Sequence, residues 1–284
     1  MAGHEGSLFR YAAVSTSSAV GNRLSVADGY RRSVRTPPAQ QPPPVQKLRI
    51  RYAKRGRLRF TSHRDFGRAF ERAIRRAGLP IASSSGFSPH PRISYANASP
   101  TGAESEAEYL EIGLTEHRDP DAIRSALDEA LPTGLDIIEV VVAGPGALAD
   151  RLEAGRWRVT LFGVSVEEAS GAVEKFLAAD VVEVERMTKR GLRTFDCRGA
   201  VVSLSVASSG SGVAECAILD VVVRHGTPAV RPDDILAGLR QVADLVAPVP
   251  PLQSRIAQGP LDSETGHVGD PLGADRDARR LGDR

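Results

Sequence analysis

His63, His90 and a dense set of arginines are the side chains whose types and spacing could do chemistry in this sequence. Histidine titrates near neutral pH, so two of them brought together could serve as general acid and general base. His63 stands in Ser62-His63-Arg64-Asp65, at the start of a helix whose free backbone N–H groups would favour an anion. His90 lies between two prolines in Gly86-Phe87-Ser88-Pro89-His90-Pro91-Arg92, a restricted loop that would hold His90 and Arg92 toward a ligand. Guanidinium groups suit phosphates, and Arg49, Arg51, Arg57, Arg59, Arg64 and Arg68 crowd one stretch of chain. Two chemistries follow: an RNA-binding surface built from these arginines with Arg92, or metal-independent processing or modification of RNA by His63 and His90. Ion pairing with Glu106, Glu108 and Glu111, or a merely solvated charged face, is the plainer account of the arginines.

The formal charge of +2 conceals a polarised distribution. Residues 47–82 carry twelve Lys and Arg against two acids, whereas residues 101–140 carry eleven acids against two arginines. His63, His90 and Glu104 match no compact ligand spacing, so no metal is expected. Only Cys197 and Cys216 are present, which argues against a disulfide framework or a cysteine-held cluster, and no cofactor is expected. No apolar run approaches the length of about 18 residues that a membrane helix needs, so no membrane contact is expected and the cytoplasm is the expected compartment.

The elements that must position these residues can be read from periodicity. Leu48, Ile50 and Tyr52 alternate with Lys47, Arg49 and Arg51, the signature of a strand with one core face and one cationic face. Arg57 to Phe60 repeats the alternation after the Lys54-Arg55-Gly56 turn, which predicts strand here too, paired with the first as a hairpin or continuous with it as one bent strand, and a continued basic stripe. Ser62 and Asp65 form a capping pair for a helix to Ala77, with Phe66, Ala69, Phe70, Ala73, Ile74 and Ala77 inward and Arg64, Arg68, Arg72, Arg75 and Arg76 outward. Strands are predicted at 92–96 and 106–114, a helix from Asp119-Pro120, and a strand at 135–142. The expected fold is therefore α+β, with a ferredoxin-like βαββαβ domain over 47–145. Gly144-Pro145-Gly146 marks a boundary, after which 156–250 reads as a second, smaller α+β domain, either a divergent repeat or a distinct unit. Trp157, alternating with Val159 and Leu161, is expected in its core. The Ser-, Arg- and Pro-rich residues 1–46 and the polar residues 251–284 are expected as disordered tails, with an organelle transit peptide as the alternative for the first.

Several segments occur in the order seen in one known family: Leu48-Arg49-Ile50-Arg51-Tyr52, Ser62-His63-Arg64-Asp65, Glu71-Arg72-Ala73-Ile74-Arg75-Arg76-Ala77-Gly78-Leu79-Pro80, Gly86 to Ser94, and Glu104-Ser105-Glu106-Ala107-Glu108-Tyr109-Leu110. On these the chain resembles the radical-SAM-associated domain of unknown function, in a stand-alone form covering roughly residues 47–250. Ser88 stands where that family usually has Asn, and Arg64 where it usually has an apolar residue. The resemblance implies a partner: a separately encoded radical-SAM enzyme, since this chain lacks the three-cysteine motif such chemistry needs. It implies either an RNA-binding accessory protein or a module that docks on that enzyme.

Overall fold

The computed structural model describes residues 40–188, 191–208 and 216–282. Most of the tail expected over 1–46 lies outside the described residues, and Gln46 already belongs to the first strand.

Two successive βαββαβ units build the chain. The first runs β1 (Gln46–Lys54), α1 (His63–Arg76), β2 (Ile93–Ala96), β3 (Glu104–Leu114), α2 (Pro120–Ala130) and β4 (Ile137–Val142). Its strands stand in the order β4-β1-β3-β2, all neighbours antiparallel, which is compatible with the ferredoxin-like arrangement. The second unit runs β5 (Ala154–Phe162), α3 (Val166–Ala178), a separate hairpin of β6 (Glu183–Thr188) and β7 (Gly191–Asp196), then β8 (Val201–Ser208), β9 (Cys216–Arg224), α4 (Pro232–Ala243) and β10 (Leu252–Gly259). Omitting the hairpin, its order is β10-β5-β9-β8, the same pattern again. The units share one eight-stranded sheet, joined where β10 pairs parallel with β3 through Ser254–Glu104 and Arg255–Ser105. α5 (Gly273–Gly282) closes the described chain.

Local signals account for the helices. Ser62 Oγ accepts from the Asp65 backbone N–H at 3.2 Å and donates to its carboxylate at 2.7 Å, fixing the start of α1. Phe66, Phe70, Ala73 and Ile74 then fall on one stripe and bury against Leu48, Ile50, Leu110 and Ile112. In the second unit Ser165 caps α3 through the Glu168 N–H at 3.0 Å. There Ala169, Ala172, Val173 and Phe176 meet Trp157, Val159 and Leu161, so Trp157 is a core residue as expected.

Two expectations give way. Gly56–Phe60 forms a 3₁₀ turn rather than a strand. Gly56 takes a φ of 56°, which reverses the chain out of β1, and four alternating residues are too few to hold a ladder of their own. Residues 251–284 are likewise not a uniform polar tail: they supply β10, the strand that joins the two units, and α5. Between these elements Leu261 and Val268 pack on Ala154 and Val222, and Leu272 packs on Ala107, Tyr109 and Val141. The C-terminal segment thus covers the sheet face turned away from the helices.

Candidate functional site

The arginines expected to form one cationic platform fall into different environments. Arg49 is 1% exposed. Its Nη1 donates to both carboxylate oxygens of Asp275 at 2.8 Å, its Nε to Glu111 at 3.2 Å and its Nη2 to the Gly146 carbonyl. Arg51 Nε donates to the Glu106 carbonyl at 2.8 Å. The open basic sheet face is therefore absent at Arg49 and Arg51. Alternation correctly turned them away from the helices, but Asp275, 226 residues further along, closes that side. Tyr109 is buried beneath the same segment.

The acidic strand neutralises much of what remains. Glu111 also meets Lys47 at 3.4 Å, and Glu106 binds Arg55, which reaches Asp136 at 2.7 Å as well. Glu108 pairs instead with Arg255 of β10, both buried. Burial alone would raise the Glu108 carboxyl, yet Arg255 and the hydrogen bonds from Ser105 and the Ser99 N–H hold it below its ordinary value. Beside it Lys54 is also buried, its Nζ donating to the Pro100 carbonyl at 3.1 Å, and burial lowers its ammonium from the usual value.

Four predicted cations stay accessible. Arg57 is exposed on the 3₁₀ turn, without a partner among the described residues. Arg59 lies 4.5 Å over the Phe60 ring, donates to the Gly56 carbonyl at 3.1 Å and stands 3.9 Å from Glu104. Arg64 and Arg68 are exposed on α1 in line with Arg72, and none of the three has an acidic partner among the described residues. Arg92 turns inward, its Nε donating to the Ser83 carbonyl at 3.1 Å, where it closes the loop over 83–92. His90 is exposed at that loop, its backbone N–H bonded to Ser84 Oγ at 3.0 Å. His63 stands edge-on to Tyr95 with ring centres 4.8 Å apart and lines a different feature, a cleft between the units. His90 does not line that cleft, and no contact between the two histidines is seen among the described residues.

The cleft has a volume of about 550 Å³ and is lined by the loop 97–101, by residues 225–233 up to the first turn of α4, and by Trp157 and Arg255. A chain of hydrogen bonds orients its wall. Gln258 Nε2 donates to the Ala107 carbonyl at 2.6 Å, so its Oε1 accepts from Asn97 Nδ2 at 3.1 Å. His225 Nδ1 donates to the Leu152 carbonyl at 2.7 Å, which leaves Nε2 to accept from Asn97 Nδ2 at 3.2 Å. Burial lowers the His225 imidazole below its ordinary value, the bond to Leu152 opposes this, and Arg255 adds to the lowering. Asn97 adopts φ of 46°, a conformation Asn tolerates better than most residues. Gly155 is the close-approach position: a Cβ there would lie 3.1 Å from both His225 Nε2 and Trp157 Nε1.

Sequence reasoning assigned no role to Asn97, His225, Arg231 or Arg255. Asn97 and His225 are 128 residues apart, and nothing in either neighbourhood signals their meeting.

Fold and site define the class: an α+β protein of two βαββαβ units in one sheet, with a polar cleft at their junction and an exposed arginine stripe beside it. The model of a family of uncharacterised proteins conserved in bacteria (DUF2344) matches residues 47–232, and the chain belongs to that family. No curated protein matches it. Among solved structures it is similar to a chain of a Cbf5-Nop10-Gar1 complex, with 12% identity, a TM-score of 0.38, and coverage of 80% of this chain and 56% of that one. The chain thus spans little more than half that relative's length. It is also similar to an unknown protein from Galdieria sulphuraria (14% identity, TM-score 0.22, 70% and 92% covered) and a dye-decolorizing protein from V. cholerae (12%, 0.19, 78% and 93%). No helix among the described residues is long and apolar enough to cross a membrane.

Proposed function

We propose that this protein binds RNA through the outer face of α1 and acts as a non-catalytic accessory to a separately encoded enzyme. The observation that carries this reading is the stripe of Arg64, Arg68 and Arg72, exposed and without an acidic partner among the described residues. Four-residue steps place them on one helix face at intervals of about 6 Å. Holding three unneutralised guanidinium groups in a row costs Coulomb energy that a polyanion would relieve, with release of its counterions. Arg75 extends the row and meets only Glu71, at 4.0 Å. The family resemblance suggests a radical-SAM enzyme for the partner.

The test is binding of single-stranded RNA over a range of salt concentrations by wild type and by the triple variant Arg64→Gln, Arg68→Gln, Arg72→Gln. Removing one arginine–phosphate pairing should reduce the slope of log affinity against log salt by about 0.7, so the triple variant should lower that slope by about 2 units. If wild type binds no RNA at moderate salt, or the variant keeps the same slope, the stripe is only a solvated face.

A further inference from the structure

Beside the stripe lies a groove that charge neutralisation does not account for. The junction cleft shares Thr101 and Asp233 with a second hollow of about 480 Å³, which runs on past Arg59 and Phe60 to Phe162. The 3₁₀ turn carrying Arg59 and Phe60, followed by His63 at the start of α1, therefore borders both hollows. The arginine row on α1 begins one residue later, at Arg64.

Three properties of this groove point to the same kind of ligand. Large rings are displayed where a folded chain would ordinarily bury them: Phe60 is 60% exposed and Phe162 40% exposed. Arg59 lies over Phe60, and a guanidinium–phenyl pair presents the flat surfaces on which nucleobases stack. The other end, by contrast, is set up for hydrogen bonding. Because Asn97 Nδ2 is committed to Gln258 and His225, Asn97 Oδ1 remains an acceptor without a partner among the described residues. The Trp157 indole N–H, which faces the space beside Gly155 together with His225 Nε2, is a donor without a partner among the described residues. Both are held through bonds or packing that lead back to the sheet, so their directions are set before a ligand arrives. The Watson–Crick edge of every nucleobase carries an acceptor next to a donor, the complement of such a pair. The rim is cationic at Arg59 and Arg231, and its one acid, Asp233, is engaged by Gln253 Nε2.

We propose that the junction cleft takes one nucleobase of a single-stranded RNA, its edge read by Asn97 and Trp157, while the neighbouring nucleotide stacks on the Arg59–Phe60 pair. This rests on the RNA-binding reading and extends it: α1 holds the backbone, and the groove holds bases. The ligand chemistry is that of a nucleotide, whether part of a strand or free.

Trp157 is the only tryptophan in the chain, so its fluorescence reports on this cleft and no other place. The full-length protein would be titrated with a short single-stranded oligoribonucleotide, a duplex of the same sequence, and uridine and adenosine monophosphates. Trp157 emission would be followed together with the anisotropy of labelled oligonucleotide. The single strand should change Trp157 emission at the concentration at which anisotropy rises, and the duplex should not. Phe60→Ala should weaken the single strand about fivefold to a hundredfold, the loss of one stacked base. Arg231→Gln, also at an exposed position, should weaken it severalfold; neither change disturbs the core. If anisotropy rises with unchanged Trp157 emission, and both variants bind like wild type, the strand lies on α1 alone and the cleft proposal falls while the RNA reading stands. If the monophosphates alter Trp157 emission but no oligonucleotide binds, the cleft takes free nucleotides and the RNA reading falls. If neither kind of probe changes the emission and none binds, both fail.

Discussion

Replacing Asp275 by alanine should unfold the protein at a markedly lower temperature, and the size of the effect follows from what it leaves behind. Arg49 is 1% exposed and would lose both 2.8 Å bonds from its Nη1. Arg151, which also donates to Asp275 at 2.8 Å, keeps the Pro271 and Pro145 carbonyls and is more open to water, so it can re-solvate. Breaking one side of a buried ion pair costs about 3–5 kcal/mol, because the remaining charge is stranded. Arg49 retains Glu111 and the Gly146 carbonyl, which places the loss near the lower end, at about 3 kcal/mol. For a unit of this size that is a fall in Tm of about 6–12 °C. Thermal unfolding followed by circular dichroism measures it, with exposed Asp150→Ala as a control that should not move. pH gives a second check. Burial opposes it, but Arg49, Arg151 and the Gly144 N–H hold the Asp275 carboxyl below its ordinary value. The folded state therefore binds the proton more weakly than the unfolded chain. This stabilisation is complete above the unfolded value of about 3.9 and is lost as pH falls through the lower folded value. The gap between wild type and Asp275→Asn should accordingly narrow on acidification below about pH 4. A Tm change under about 3 °C for Asp275→Ala, or a gap that widens in acid, would refute the claim that Asp275 neutralises a buried Arg49.

The junction and the cleft make separate predictions. Arg255→Met should destabilise by about 3–5 kcal/mol by stranding the Glu108 carboxylate. Glu108→Gln should cost less, about 1–3 kcal/mol, since the amide can still accept from the Ser99 N–H and from Arg255; a loss under about 1 kcal/mol for both variants in urea denaturation would contradict the pairing of Arg255 with Glu108. His225, whose imidazole is lowered by burial, should add a pH dependence that His225→Asn abolishes: stability complete above the unfolded value of about 6.5, falling as pH drops below it toward the folded value. A His225→Asn variant with an unchanged profile between pH 7 and 5 would show that the ring is not held neutral in the fold.

Periodicity made legible whatever is stabilised by an apolar face, and little else. α1 to α4 and most strands bury stripes of Leu, Ile, Val and Phe, so their alternation and capping residues suffice to find them. β10 was missed because Leu252–Gly259 has no such stripe: its buried members are Arg255, Gln258 and Gly259, chosen for polar neighbours that sequence cannot reveal. α5 was missed because its residues are half charged and the anchor the structure shows for it is Asp275, whose partner Arg49 is 226 residues away. The arginines show a subtler limit. Alternation fixes which face of a strand a residue occupies, but not whether a distant segment covers that face, so Arg49 and Arg64 looked alike while one is buried and the other exposed. Of the two histidines only His63 reaches the cleft, since its partners come from loops more than thirty residues away on either unit.

The position of the cleft follows from how the two units are joined. Each has its own apolar core, and the residues between them at β3 and β10 are Ser105, Glu108, Arg255 and Gln258, all buried and polar. A seam of this kind gains little from hydrophobic burial and depends on complete pairing. Its ladder is correspondingly short: two residue pairs in parallel, after which β10 shifts register between Arg255 and Ala257, while β2 occupies the rest of that edge of β3. The end of β2 and the start of β3 therefore leave β10 uncovered at one end, and the loop from Asn97 to Thr101 must cross the gap. Asn97 and Arg255 serve both purposes, tying the seam together and lining the opening it leaves. A seam filled with leucine would be more stable and would close the cleft. The polar joint is thus the structural condition for having a site between the units at all.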